Sequence, residues 1–257
     1  MKIGIKTVIL ASTLSFLLVG CTKAPITGRN QLIMLDSKQE LALGYQSAKE
    51  VLQTQKISKD ATKTAMVNRA GQKIALATGK SDYAWEFFLI DNDKEANAFC
   101  LPGGKVFVYS GIFKYASTED ELASVMGHEI AHALARHGAE RMSQSQLTAM
   151  GGQILQSVMV GKGNAQNTAL VMQAFGIGSQ LGIALPFSRE QEYEADHIGL
   201  ILSAKAGYNP NAALTFWEKF AKDGSNGPEY LSTHPAGANR IAKLKTLIPS
   251  AMQYYKK

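Results

Sequence analysis

Histidine is scarce in this chain, five residues in 257, so a metal or general-base site has few residues to draw on. Beyond residue 20 no run of 18 apolar residues occurs, which excludes a bundle of membrane-spanning helices. Lys and Arg outnumber Asp and Glu by 27 to 21, yet they are scattered and not interleaved with aromatics. Nucleic-acid binding therefore has no support beyond the basic balance, and a surface lying near lipid head groups accounts for that balance as well. No internal repeat and no Pro/Gly/Ser-rich linker divides the sequence, so the part after residue 20 is long enough for one compact domain with a substantial core.

Cysteine is nearly absent too. Cys21 closes a segment in which Lys2 and Lys6 precede an apolar run, Thr7 to Gly20, ending Leu18-Val19-Gly20-Cys21. A charged start, a short apolar stretch and small residues at its end describe a secretory signal over residues 1–20. The ending resembles a bacterial lipobox, which makes Cys21 the expected lipid-bearing residue and attaches the chain to a membrane. Thr22, where Asp would signal inner-membrane retention, points to an outer-membrane lipoprotein facing the periplasm in a cell with two membranes. Cys100 is then alone, an internal disulfide is excluded, and the thiol is expected to be buried.

After a tether over residues 21–36, a domain is expected over 37–257. Ser37-Lys38-Gln39-Glu40 reads as a capping box opening a helix to about Gln55. A second helix, about Ala61 to Ala77, stops at Gly79. Ala84 to Ile90 and Lys105 to Tyr109 are strand candidates, the latter entered through Pro102-Gly103-Gly104. Ser117 is placed to cap the next helix, with three acidic residues in its first turn. From Gly138 to Leu185 the chain is rich in Ala, Gln, Gly and Met; it reads as two helices around Gly161 to Asn164, either a lid or membrane-facing hairpin or a loosely packed pair. Pro186 is placed to start a helix that ends at Gly207, Asn209-Pro210 to open another, and a last helix follows His234-Pro235. The sum is mainly α with a small β-sheet, an α+β fold.

Within the helix after Ser117 lies His128-Glu129-Ile130-Ala131-His132, an HExxH motif. At about 100° per residue, His128 and His132 are about 40° apart and offer two imidazoles to one metal. Glu129 lies beside them, placed to take a proton from a water at that metal. A third protein ligand is required. His137, five residues past His132, rotates away from His128 on a continuous helix and is set aside. Among Glu190, Glu192, Glu194 and Asp196, two pairs stand four apart on opposite helical faces, and spacing alone does not choose between them. In the right pair one carboxylate ligates while the other accepts a hydrogen bond from a ligand histidine.

HEIAH followed by Ser188-Arg189, Glu192 and Ala195-Asp196 in the pattern SRxxExxAD resembles the M48 family of zinc metallopeptidases. Asn97 to Gly104 and the late His234-Pro235 with Arg240-Ile241 extend the likeness over most of the chain. The resemblance implies a zincin-like fold with one Zn²⁺ held by His128, His132 and Glu192, and Asp196 orienting a ligand imidazole. It implies Glu129 as general base. It offers His234 either as a donor to the developing oxyanion or as a cover over the zinc that keeps the enzyme latent, with Arg240 as a second cation or a brace. Cys100 departs from the family's usual Ala and, near the cleft, raises oxidation or inhibition at that thiol. Gly103 and Gly104 permit close backbone approach, and Lys105 to Tyr109 offers a free edge for an extended substrate. Asn97, Gly103, Gly104, Lys105 and Val106 are thus the expected peptide-binding residues. The leading reading is a lipid-anchored zinc endopeptidase acting on unfolded or misassembled envelope proteins. A zinc-stabilised chaperone-like factor with latent peptidase activity is the second, supported by the Met- and Gln-rich segment. Membrane proteolysis of the CAAX type, a third, lacks the spanning helices it requires.

Overall fold

The computed structural model describes residues 21–156, 188–222, 234 and 238–256. Its first element is a hairpin of β1 (Cys21–Lys23) and β2 (Asn30–Leu32), turned through the left-handed residues Ile26 and Gly28. Residues 22–35, expected as a tether, are instead folded in. Ala24, Ile33 and Leu35 are buried, and Arg29 is ion-paired to two later helices. The apolar side chains carry this outcome, since a free tether has nowhere to bury them.

Helix α1 (Ser37–Thr54) and α2 (Ala61–Thr78) follow. The N-cap of α1 is Asp36, one residue before the expected Ser37, with Gln39 reaching back to complete the capping box. Gly79 ends α2 at φ +67°, a conformation in which glycine carries no Cβ penalty.

The main sheet has three strands, β3 (Glu86–Ile90), β4 (Ala98–Leu101) and β5 (Lys105–Tyr109), in the order β3-β5-β4. Strand β5 is parallel to β3 and antiparallel to β4. The expectation that Lys105 to Tyr109 presents a free edge is therefore wrong. All five residues are buried in the central strand, and the edges belong to β3 and β4. An unbroken run such as Val-Phe-Val fits a strand covered on both faces better than an edge.

Helix α3 (Glu119–Leu134) carries the HExxH motif beneath the sheet. Thr118, rather than Ser117, is its N-cap; Ser117 donates from both backbone and hydroxyl to Glu121. Helix α4 (His137–Gln156), α5 (Arg189–Lys205), α6 (Asn211–Ala221) and α7 (Ala238–Ala251) complete the described α-helices. Ser188 caps α5 with Gln191 in a capping box, as Thr118 does α3 with Glu121. Pro186 and the rest of the expected pair of helices beyond Gln156 lie outside the described residues, as do residues 1–20. Among the described residues no helix is long and apolar enough to cross a membrane.

The core is centred where α2, the sheet and α6 close on α3 and α5, with Ile74, Met126, Ile130, Ile198, Phe216 and Phe220 buried. Two glycines set the closest crossing. A Cβ on Gly199 would stand 2.8 Å from the backbone nitrogen of His128, and one on Gly127 would stand 2.5 Å from Ser203 Oγ. The absence of both side chains lets α5 lie directly on the motif helix.

Candidate metal centre

That crossing brings the α5 carboxylates to the histidines of α3. His128 Nε2 and His132 Nε2 stand 3.0 Å apart. Glu192 approaches both, with Oε1 3.4 Å from His132 Nε2 and Oε2 3.6 Å from His128 Nε2. His234, 42 residues further on, joins them: its Nδ1 lies 3.2 Å from His128 Nε2 and 2.9 Å from Glu192 Oε1. One donor atom from each of these four buried residues falls within 4.8 Å of the others.

This donor set fits zinc. Two or more imidazoles with a carboxylate are characteristic zinc ligands, and tetrahedral bonds of about 2.0–2.1 Å put neighbouring donors about 3.3 Å apart. Glu192 Oε2 is buried and accepts no hydrogen bond among the described residues, although Arg240 Nη1 forms an ion pair with it at 2.6 Å. Glu129, Glu192 and Asp196 are all buried here, and a divalent cation supplies positive charge beyond that of Arg240.

The imidazoles of the cluster are held from behind. Asp196 Oδ1 lies 2.9 Å from His128 Nδ1, which leaves Nε2 of that ring for a metal. Arg240 grips the same carboxylate through Nε at 2.8 Å and Nη2 at 2.7 Å, with its guanidinium stacked 3.7 Å from the Trp217 ring centroid. Burial would raise the Asp196 carboxyl, but Arg240 and His128 hold it below its usual range. Burial likewise opposes ionisation of Glu192, and His234 and Arg240 outweigh it, so that carboxyl lies well below its ordinary value. Burial drives His132 well below the usual imidazole range, which keeps it neutral, the form that ligates. His234 runs the other way: burial lowers it, but the Glu192 and Glu129 carboxylates raise it overall.

Glu129 is buried beside this cluster, Oε1 3.6 Å from His234 Nε2. With Cys100, Pro102 and His132 it lines a narrow crevice between β4 and α3. The Cys100 thiol is buried as expected, and burial followed by the Glu129 charge pushes it well above its ordinary value. Oxidation or inhibition at this thiol is thereby disfavoured, because the reactive form is the thiolate.

The expected peptide-binding residues do not gather at this crevice. A Cβ on Gly44 of α1 would stand 2.1 Å from the Pro102 carbonyl oxygen, so α1 rather than a substrate makes the close approach to that turn. Gly103 and Gly104, both at φ +87°, face Leu41 and Tyr45, and Trp85, respectively. Lys105 donates to the Ala84 carbonyl and pairs with Glu86, and Val106 is fully buried. Asn97 is occupied by Glu95 and its neighbour's backbone.

His137 was set aside on the assumption of one continuous helix. Instead Arg136, at φ +58°, breaks the chain between α3 and α4 and turns the ring back. His137 Nδ1 meets His132 Nδ1 at 2.8 Å, while Nε2 meets Glu194 Oε2 at 2.9 Å. His137 lies outside the four-donor cluster and behind one of its members. A helix break at a residue with a side chain leaves no plain signal in sequence; the short apolar spacing before Arg136 would have continued the helix.

The chain is 39% identical over 191 residues to the mitochondrial metalloendopeptidase OMA1 of Schizosaccharomyces pombe, covering 73% of this chain and 54% of that protein. It is 34% identical over 245 residues to the human OMA1 metalloendopeptidase, covering 90% and 46% respectively. The beta-barrel assembly-enhancing protease of Escherichia coli K12 is 32% identical over 225 residues, covering 85% and 45%. The chain thus spans about half the length of these relatives. The model of peptidase family M48 matches residues 61–248, which include all four donors, Glu129, Asp196 and Arg240, and the chain belongs to that family.

Proposed function

We propose that this chain is a zinc metalloendopeptidase that hydrolyses peptide bonds of unfolded or misassembled proteins. One observation carries the reading: four metal-competent donors converge in a buried cluster with a further carboxylate, Glu129, alongside. His128, His132 and Glu192 are the residues that hold the metal through catalysis. When bound, zinc polarises the scissile carbonyl and acidifies an attacking water. Glu129 takes the proton from that water and returns it to the leaving amine. Asp196, braced by Arg240, keeps the His128 ring turned towards the metal.

His234 favours a latent form of the same enzyme. A catalytic zinc would need one position open, and His234 Nδ1 lies among the donors that would hold it. Turnover then requires His234 to withdraw, after which its Nε2 is available to the oxyanion. This supports the chaperone-like reading only in so far as the closed form is long-lived. For substrate, β4 rather than β5 is the sheet edge that borders Glu129 and His132, and because Ala98–Leu101 are all buried an added strand there would first have to displace what covers them.

The names of the relatives support a role in protein quality control, and the sequence ending at Cys21 supports a lipid anchor in the outer membrane of a bacterial envelope. Cleavage of unfolded casein by the purified protein, with zinc content measured on the same sample, tests the activity. Cleavage abolished by chelator and restored by zinc is expected; one zinc per chain without cleavage marks the latent form, and no zinc in folded protein rejects the site.

A further inference from the structure

The rear of His132 leads out of the metal centre along an unbroken line of hydrogen bonds. With Nε2 given to a metal, the neutral His132 ring carries its proton on Nδ1, which donates to His137 Nδ1 at 2.8 Å. His137 then carries its own proton on Nε2 and donates it to Glu194 Oε2 at 2.9 Å. Glu194 is fixed in turn by the N-terminal hairpin. Thr27 Oγ1 donates to Glu194 Oε1, and Arg29 Nε donates to Glu194 Oε2 at 2.6 Å. Arg29 also spans Glu140 with Nη1 and Nη2, both at 2.8 Å, and Gln191 donates to that carboxylate at 2.7 Å. His132, His137, Glu194 and Glu140 are each at most 5% exposed, so water cannot replace a missing partner without rearrangement.

We infer that His137 and Glu194, held by Thr27 and Arg29 of the hairpin, are positioning residues that fix the tautomer and direction of His132 and so set metal affinity. The inference rests on the zinc-centre reading above. It assigns the hairpin a task for a distant ligand: Arg29 is 103 residues before His132 in sequence and reaches it through only two side chains. It also distinguishes the two histidine ligands. His128 has a carboxylate directly behind it, whereas His132 reaches its carboxylate through a second imidazole.

The test measures zinc affinity by competition with a chromophoric chelator, on the full chain, for wild type and for His137→Phe, Glu194→Gln, Thr27→Val and Arg29→Gln. Thermal midpoints of the zinc-free proteins and absorption spectra of the cobalt-substituted proteins accompany it. Loss of an outer hydrogen-bond partner typically lowers metal affinity by about 10–100-fold. His137→Phe, which keeps ring volume, is expected in that range with an altered cobalt spectrum, and Arg29→Lys is expected to recover part of the Arg29→Gln loss. Arg69→Gln, which breaks a remote ion pair with Glu119, should leave zinc affinity and the cobalt spectrum unchanged. If Arg29→Gln fails to fold, Thr27→Val and Glu194→Gln carry the measurement, because each is close to isosteric. Lowered midpoints with wild-type zinc affinity and cobalt spectra overturn the inference and leave these residues structural. Wild type that binds no zinc overturns the zinc-centre reading itself, and the relay with it.

Discussion

His234 Nδ1 lies 2.9 Å from Glu192 Oε1, and the two residues come from segments separated by a whole helix, α6. The contact places an imidazole between Glu192 and Glu129, since His234 Nε2 faces Glu129 on the other side. His234→Ala is expected to increase casein cleavage and to weaken zinc binding modestly, measured by initial rate and chelator competition. A fall in rate of about 10²–10³ would instead assign His234 to oxyanion stabilisation as its main task.

Glu129→Gln keeps side-chain volume and leaves the four donors untouched. Zinc content by mass spectrometry should equal that of wild type, while cleavage falls by at least about 10²–10⁴. Retained cleavage would remove Glu129 from its role as base.

Glu192→Ala should lose zinc outright at concentrations that saturate wild type. Asp196→Asn should weaken binding by about 10–100-fold, because the acceptor behind His128 Nδ1 loses its charge. Equal affinities for the two variants would contradict their distinct places around His128.

The helix crossing can be tested separately. A side chain at Gly199 meets the His128 backbone, so Gly199→Val should destabilise the fold by about 1–3 kcal/mol or more and reduce zinc content together. Denaturant unfolding and metal analysis on one sample check this. Loss of stability with full zinc content would mean that α3 and α5 can part without disturbing the ligands.

Acid should weaken the fold through carboxylates outside the four-donor cluster. Burial would raise Glu121 and Glu140, but Lys219 with Ser117 and Thr215 lowers the first, and Arg29 with Gln191 lowers the second. A carboxylate depressed in the folded state contributes stability above its unfolded pKa of about 4.3, and that stability is lost as pH falls through the folded value. The thermal midpoint of the zinc-free protein is therefore expected to drop below about pH 4–5, and Glu121→Gln should flatten the slope. An unchanged slope would show that the Glu121 pairs do not drive acid unfolding.

The local chemistry of this protein was legible in its residues. HEIAH on a capped helix, the two apolar strands and Gly79 at the end of α2 follow from spacing, capping and backbone rules that act within a few residues. The choice of Glu192 over Glu194 was not, because both pairs of carboxylates have helical spacing. Only the crossing of α5 on α3, set by Gly127 and Gly199, turns Glu192 and Asp196 to His128 and leaves Glu194 for His137 and Arg29. Sheet order was equally hidden: Lys105 to Tyr109 reads as a strand from its own residues, but whether it is an edge depends on Glu86 to Ile90 pairing alongside. The sequence by itself determined which side chains stand at a spacing able to carry metal chemistry, since side-chain type and helical period are local properties. The tertiary structure decided which partner stands behind each histidine of the cluster and that His234 joins it, since those relations depend on packing between segments tens of residues apart.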